Sequence, residues 1–102
     1  MSRREQIESM LADNPSDTFL RYALAMELAN DDETAEQCLD LHRGLMQDDP
    51  PYVPSFFMAG QQFARLDRID EAKQVLTEGI QQAQSQGDSH AAGEMTEFLG
   101  SL

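Results

Sequence analysis

Tryptophan is absent from this 102-residue chain, and cysteine and lysine occur once each, as Cys38 and Lys73. A single cysteine excludes an internal disulfide and fits a reducing compartment, so the cytoplasm is the default expectation. No apolar run approaches the roughly 18 residues that a membrane span needs, and the opening MSRREQIESM lacks the apolar stretch of a secretory signal. Basic residues are scarce as a class: 7 Lys and Arg face 19 Asp and Glu, a net charge of −12. Such a surface repels a phosphate backbone, which argues against nucleic acid as a partner. The acids form no single block, with 12 against 4 bases in residues 1–50 and 7 against 3 in residues 51–102. Spread in this way they fit solubility, or a halophilic host with a salty cytoplasm, better than a basic ligand.

Alternating β-branched runs are also missing, and the punctuation marks only helices. Ser2 and Glu5 have capping-box spacing ahead of Ile7, Met10 and Leu11, which predicts a helix over residues 3–13. Asn14-Pro15 reads as an N-cap followed by Pro at the first helical position, opening a helix that carries Phe19, Tyr22, Ala23, Met26 and Leu28. Asn30-Asp31-Asp32 turns the chain into a third helix over roughly 33–47, stopped by Asp48-Asp49-Pro50-Pro51. A fourth starts near Val53-Pro54 and runs to Leu66, Asp67-Arg68 forms a turn, and a fifth spans Ile69 to about Gln86. Gly87 suits a helix C-terminus, and a last helix over 89–99 bears Ala91, Met95, Phe98 and Leu99. The class is all-α, with short connections that make neighbouring helices antiparallel.

Sliding the chain by 37 exposes a repeat: Phe19 falls on Phe56, Ala23 on Gly60, Met26 on Phe63, Ala35 on Ala72 and Leu39 on Leu76. The copies FLRYALAM…AEQCL (19–39) and FFMAGQQF…AKQVL (56–76) resemble the tetratricopeptide repeat, W-x2-L-G-x2-Y then A-x3-F then P. With flanks the resemblance covers residues 15–84. It implies a right-handed α-solenoid of about six helices in one domain, 1–102. Within it, 3–13 is a capping helix, 15–47 the first repeat, 53–86 the second, and 89–99 a C-terminal capping helix, each hairpin burying its face on a neighbour. The initiator Met reads as the start of a whole small protein, the alternative being a domain of a longer chain. Departures from the pattern are Phe for Trp, Tyr22 and Ala59 for Leu, a late Pro50, and a period of 37 instead of 34, taken up by a longer helix near Gln47. Ala72 is expected to be small because its helix crosses the Ala59-Gly60 surface, with Phe19/Phe56 and Met26/Phe63 filling the space between hairpins.

The resemblance further implies a concave groove, lined by the first helix of each hairpin, that binds a peptide or helix of a partner protein. By register the groove residues are Leu20, Leu24, Glu27 and Leu28 in the first repeat, and Phe57, Gln61, Ala64 and Arg65 in the second. Leu20, Leu24 and Phe57 add apolar surface beyond the core stripes, which marks either a binding face or burial on both sides. The alternative is that terminal helices or a homodimer cover these residues. The basic clamp of some chaperone-docking members has no counterpart, with Leu20, Leu24, Phe57 and Gln61 at its key positions, so capture of a C-terminal carboxylate is not expected. Cys38 and His42, four apart on one helix, are too few to hold a metal and read as packing residues; His90 reads as solvated. No nucleophile elbow, phosphate loop or dinucleotide glycine run is present, and Glu71 and Glu78 read as surface charge. No enzymatic activity, cofactor or metal is expected.

Overall fold

A computed structural model describes all residues, 1–102. Six α-helices and one 3₁₀ turn make up the chain: α1 (Arg3–Asp13), α2 (Thr18–Leu28), the 3₁₀ turn (Asp32–Thr34), α3 (Ala35–Met46), α4 (Val53–Arg65), α5 (Ile69–Ser85) and α6 (Ser89–Gly100). They form two compact units, residues Met1–Leu45 and Met46–Leu102. The architecture is all-α and built of helical hairpins. No helix is long and apolar enough to cross a membrane.

In the first unit, α1 starts with the expected capping box: Ser2 Oγ accepts from the Glu5 amide at 3.1 Å while Glu5 Oε1 accepts from the Ser2 amide at 3.2 Å. Asn14-Pro15 does not open α2. The Asn14 amide donates back to Leu11 and Met10 to close α1, and the Asp17 amide donates to the Asn14 carbonyl at 3.1 Å. Residues 14–17 are therefore a turn with Pro15 at its favoured second position. Asp17 is the N-cap of α2, its Oδ1 accepting from the Leu20 amide at 2.9 Å. Ile7 of α1, Leu24, Ala25 and Leu28 of α2 and Cys38 of α3 form the buried core, with Leu11, Ala23, Ala29 and Leu41 packed at its edge. Arg3 Nε, 2.7 Å from Glu27 Oε1, ties α1 to α2 at the surface.

At the α2–α3 turn, the Thr34 hydroxyl donates to the Leu28 carbonyl at 2.7 Å and satisfies one of the free acceptors at the end of α2. The 3₁₀ turn occupies the register of the first turn of α5, so residues 32–46 match residues 69–83 under the 37-residue shift. Helix α3 does not extend to take up the long period. It stops at Met46, and the extra length lies in the connection, residues 47–52, where the later α5–α6 connection is only residues 86–88.

In the second unit, α4 packs on α5 and α5 on α6. Val53, Phe56, Ala59 and Phe63 of α4, Ala72, Val75, Leu76 and Ala83 of α5, and Ala92 and Met95 of α6 are buried. Ala72 and Ala59 are fully buried, as small residues at a crossing should be. The close approach to Gly60, however, is made one turn further along: a Cβ added at Gly60 would stand 2.6 Å from Leu76 Cδ2. A second crossing escaped the sequence pattern. A Cβ at Gly79 would lie 2.4 Å from Phe56 Cβ and 2.7 Å from Met95 Sδ, so Gly79 admits α4 and α6 together.

Helices α4 and α5 end in the same Schellman motif. The Arg68 amide donates to Phe63 O at 2.8 Å and the Asp67 amide to Ala64 O at 3.1 Å; the Asp88 amide donates to Ala83 O at 2.8 Å and the Gly87 amide to Gln84 O at 3.2 Å. The left-handed position is held by Asp67 (φ 59°) in one and Gly87 (φ 78°) in the other.

Candidate functional site

The eight residues singled out for a groove fall into distinct environments. In the first unit, Leu24 and Leu28 are 6% and 1% exposed and belong to the core with Ile7 and Cys38. That is the arrangement in which a terminal helix covers them. Leu20 is half-buried, and Glu27 is half-buried and engaged by Arg3. Phe19, assigned to the space between hairpins, instead stands 72% exposed beside the half-buried Tyr22, Ala23 and Met26.

In the second unit, Phe57, Gln61 and Ala64 are half-buried and Arg65 is exposed. They follow one another along α4 at helical spacing, on a side distinct from the buried Phe56, Ala59, Gly60 and Phe63. Arg65 donates from Nη2 to Oε1 of the buried Gln62, which fixes its stem against α4. Phe57 meets Phe98 of α6 edge to face, with ring centroids 5.9 Å apart and ring planes at 62°. Phe57, Glu94, Glu97, Phe98 and Ser101 line an open recess of ≈ 340 Å³ between α4 and α6. Glu94 Oε1 lies 3.2 Å from Nε2 of the exposed His90, whereas Glu97 has no ion pair. The α6 half of this recess was not foreseen. Its signal was present, because Ala92, Met95 and Leu99 on α6 repeat the spacing of Phe56, Ala59 and Phe63 on α4, which makes Phe98 a neighbour of the core stripe.

Cys38 and His42 are both buried, the packing role expected of them. The His42 ring meets Tyr22 edge to face at 5.9 Å, and burial pushes its pKa down to about 4. His90 is exposed as expected. Glu71 pairs with Arg68 through two 2.7 Å bonds, and the Arg68 guanidinium stands 4.9 Å from the Phe63 ring centroid.

Two solved structures resemble the chain. A solution structure of a tetratricopeptide repeat domain protein from Salinibacter ruber shares 35% identity over 83% of this chain and 85% of that one, with a TM-score of 0.75. A solution structure of a Bordetella parapertussis protein shares 27% identity over 97% of this chain and 85% of that one, with a TM-score of 0.81. No family model and no curated protein matches the sequence.

Proposed function

The chain belongs to the tetratricopeptide repeat family, and from that premise we propose that it is a protein-interaction adaptor, binding an extended peptide or a helix of a partner along the face of α4 that carries Phe57 and Gln61. The supporting observation is the Phe57–Phe98 pair. Two large rings leave the core of the second unit and wall an open recess that a side chain of a partner can enter. Leu20 and Glu27 are the groove residues of the first unit that retain accessible surface. A cytoplasmic setting accords with a chain whose one cysteine, Cys38, allows no internal disulfide.

Capture of partners from host lysate at its own ionic strength tests this reading, with Phe57→Glu as the control, its folding checked by circular dichroism. One protein enriched by the wild type and lost with the folded variant is the expected result. Identical background on both baits would remove the α4 face from consideration. If the acidic surface is an adaptation to salt, helicity and stability drop when salt is withdrawn; full stability in low salt excludes that origin.

Self-association is a second reading, favoured by Phe19, whose ring is exposed without a partner surface in its own unit. Mass in solution discriminates: a dimer that Phe19→Ser converts to monomer supports it, and a monomeric wild type ends it.

A further inference from the structure

Resting on the adaptor reading and naming its partner's chemistry, we propose that the recess between α4 and α6 receives an arginine side chain of the bound segment. Its charged lining has one sign: Glu94 and Glu97 are the only ionisable side chains among its five lining residues. It also sits on the last turns of α6, a 12-residue helix with no basic residue in its final turn, where the aligned peptide dipoles give the helix its negative end although Phe98 O and Leu99 O accept from the Ser101 and Leu102 amides. The rings of Phe57 and Phe98 supply the remaining walls, and their π faces attract a cation. Carboxylates, helix end and aromatic faces therefore all favour positive charge. An acidic or phosphorylated residue would be repelled by each of them. An aliphatic side chain would cover Glu97, which has no internal counter-ion, at a desolvation cost with nothing in return.

Arginine is favoured over lysine by shape. A planar guanidinium stacks on an aromatic ring while donating two parallel bonds to a carboxylate, which an ammonium cannot do. The same chain already uses this geometry internally, where Arg68 lies 4.9 Å from the Phe63 ring centroid and donates from Nε and Nη2 to the two oxygens of Glu71 at 2.7 Å each. The recess volume of ≈ 340 Å³ lies at the lower end of pockets that take a small ligand, which suits one long side chain.

The test titrates the full chain with a capped eight-residue peptide containing one leucine and one arginine, alongside its lysine and citrulline counterparts. Amide shifts of the ¹⁵N-labelled protein locate the contact. The expected result is shifts centred on Glu97, Phe98 and Ser101, with the arginine peptide binding about tenfold more tightly than the citrulline one and several-fold more tightly than the lysine one. Glu97→Gln should erase most of the arginine–citrulline difference. Phe98→Leu, which keeps an apolar wall and removes the π face, should bring arginine down to the level of lysine. Both positions lie outside the buried core, and Phe57→Leu provides a second check should either variant lose helicity. Equal affinity for arginine and citrulline peptides overturns the arginine assignment while a Phe57-dependent partner would still uphold the adaptor. Equal arginine and lysine affinities that collapse together with added salt overturn it in favour of diffuse attraction. Absence of shifts at the recess with every peptide also overturns it, and the adaptor reading is then decided separately by the Phe57→Glu capture.

Discussion

Phe19 and Phe56 stand 37 residues apart at the same register of two hairpins, yet the first ring is 72% exposed and the second 4%. The position that faces Phe56 explains the difference. Gly79 lets the Phe56 Cβ come so close that even a methyl group would sit 2.4 Å from it. The 37-residue counterpart of Gly79 is His42, a buried imidazole in edge contact with Tyr22. A side chain thus stands on α3 where α5 has none, and the core of the first unit is formed by Ile7, Leu24, Ala25, Leu28 and Cys38. Two copies of one hairpin pattern thus bury different faces of their first helices, and they differ at the second-helix position that meets Phe56 in one of them. Repeat register places residues in equivalent positions; the volume opposite each position sets its burial.

The largest expected effect tests that contrast directly. Phe56→Ala should destabilise the protein by about 3–5 kcal/mol, the usual cost of emptying a buried aromatic site, whereas Phe19→Ala should stay within about 0.5 kcal/mol. Urea unfolding of the two variants measures both. Similar losses would mean that the two rings are equally engaged and that the asymmetry between units is absent in solution.

His42 supplies the next effect in size, and it is a pH dependence. Its pKa is about 4 in the folded chain against an ordinary 6.5, so the unfolded chain binds the proton more readily. Stability from this group is therefore complete above pH 6.5 and is lost as pH falls from 6.5 toward about 4, with an upper bound of about 3 kcal/mol. His42→Phe retains an edge contact for Tyr22 and carries no proton. The stability difference between wild type and variant should shift in the variant's favour across that window, and a constant difference would show that His42 ionises in the folded state as freely as in the unfolded one.

Gly79→Ala comes third. Met95 Sδ, 2.7 Å from the added methyl, is the end of a flexible side chain and can move, but Phe56 Cβ at 2.4 Å is anchored to the α4 backbone. Overpacking of this kind costs about 1–3 kcal/mol, more than the gain in helix propensity, which is at most about 1 kcal/mol. At Gly44 of α3 the nearest atom to an added Cβ is Arg21 Nη2, the far end of a long side chain, at 3.2 Å, so Gly44→Ala should be neutral or stabilising. Thermal unfolding of the pair reads the contrast, and equal behaviour would mean that α4 and α5 can separate without loss.

Helix positions, the capping box at Ser2, the Gly87 C-terminus and the hairpin repeat were legible in the sequence because they depend on local chemistry and on 3.6-residue spacing. Three features were not, each for a physical reason. Asn14-Pro15 has the residue types of an N-cap and of a turn alike, and the competing cap at Asp17, two residues on, decides between them. Phe19 carries the core-stripe signal but is exposed, because burial depends on what the fold brings opposite a ring, which no local pattern encodes. Leu24 and Leu28, read as groove residues by register, are buried with Ile7, because only the packing of α1 on α2 determines which of two apolar faces is covered. On the second unit Phe57 and Gln61, expected at the groove by register, are half-buried on α4, and the recess beside Phe57 takes in Phe98 of α6, beyond the reach of a two-copy alignment.

The smallest predicted effect concerns the two Schellman motifs, where the comparison can be run within one unit. Asp67 and Gly87 hold the same left-handed position after α4 and α5, with matching pairs of amide bonds. A side chain at φ 59° crowds the backbone, and aspartate tolerates this region better than most residues without escaping the cost. Asp67 makes no side-chain hydrogen bond there that glycine would forfeit, and it is exposed, so removing its side chain leaves no void. Glycine would relieve the crowding but give the unfolded chain more freedom, and the two terms partly cancel. Asp67→Gly should therefore stabilise the protein by a few tenths to about 1 kcal/mol, and Gly87→Ala should destabilise it by a similar amount, since no heavy atom within 4 Å obstructs the new methyl and only the backbone conformation resists it. Opposite signs in matched chemical denaturation curves would assign the effect to the left-handed backbone. A destabilising Asp67→Gly would mean that the aspartate carboxylate favours the turn electrostatically, and that the two motifs are alike in geometry alone.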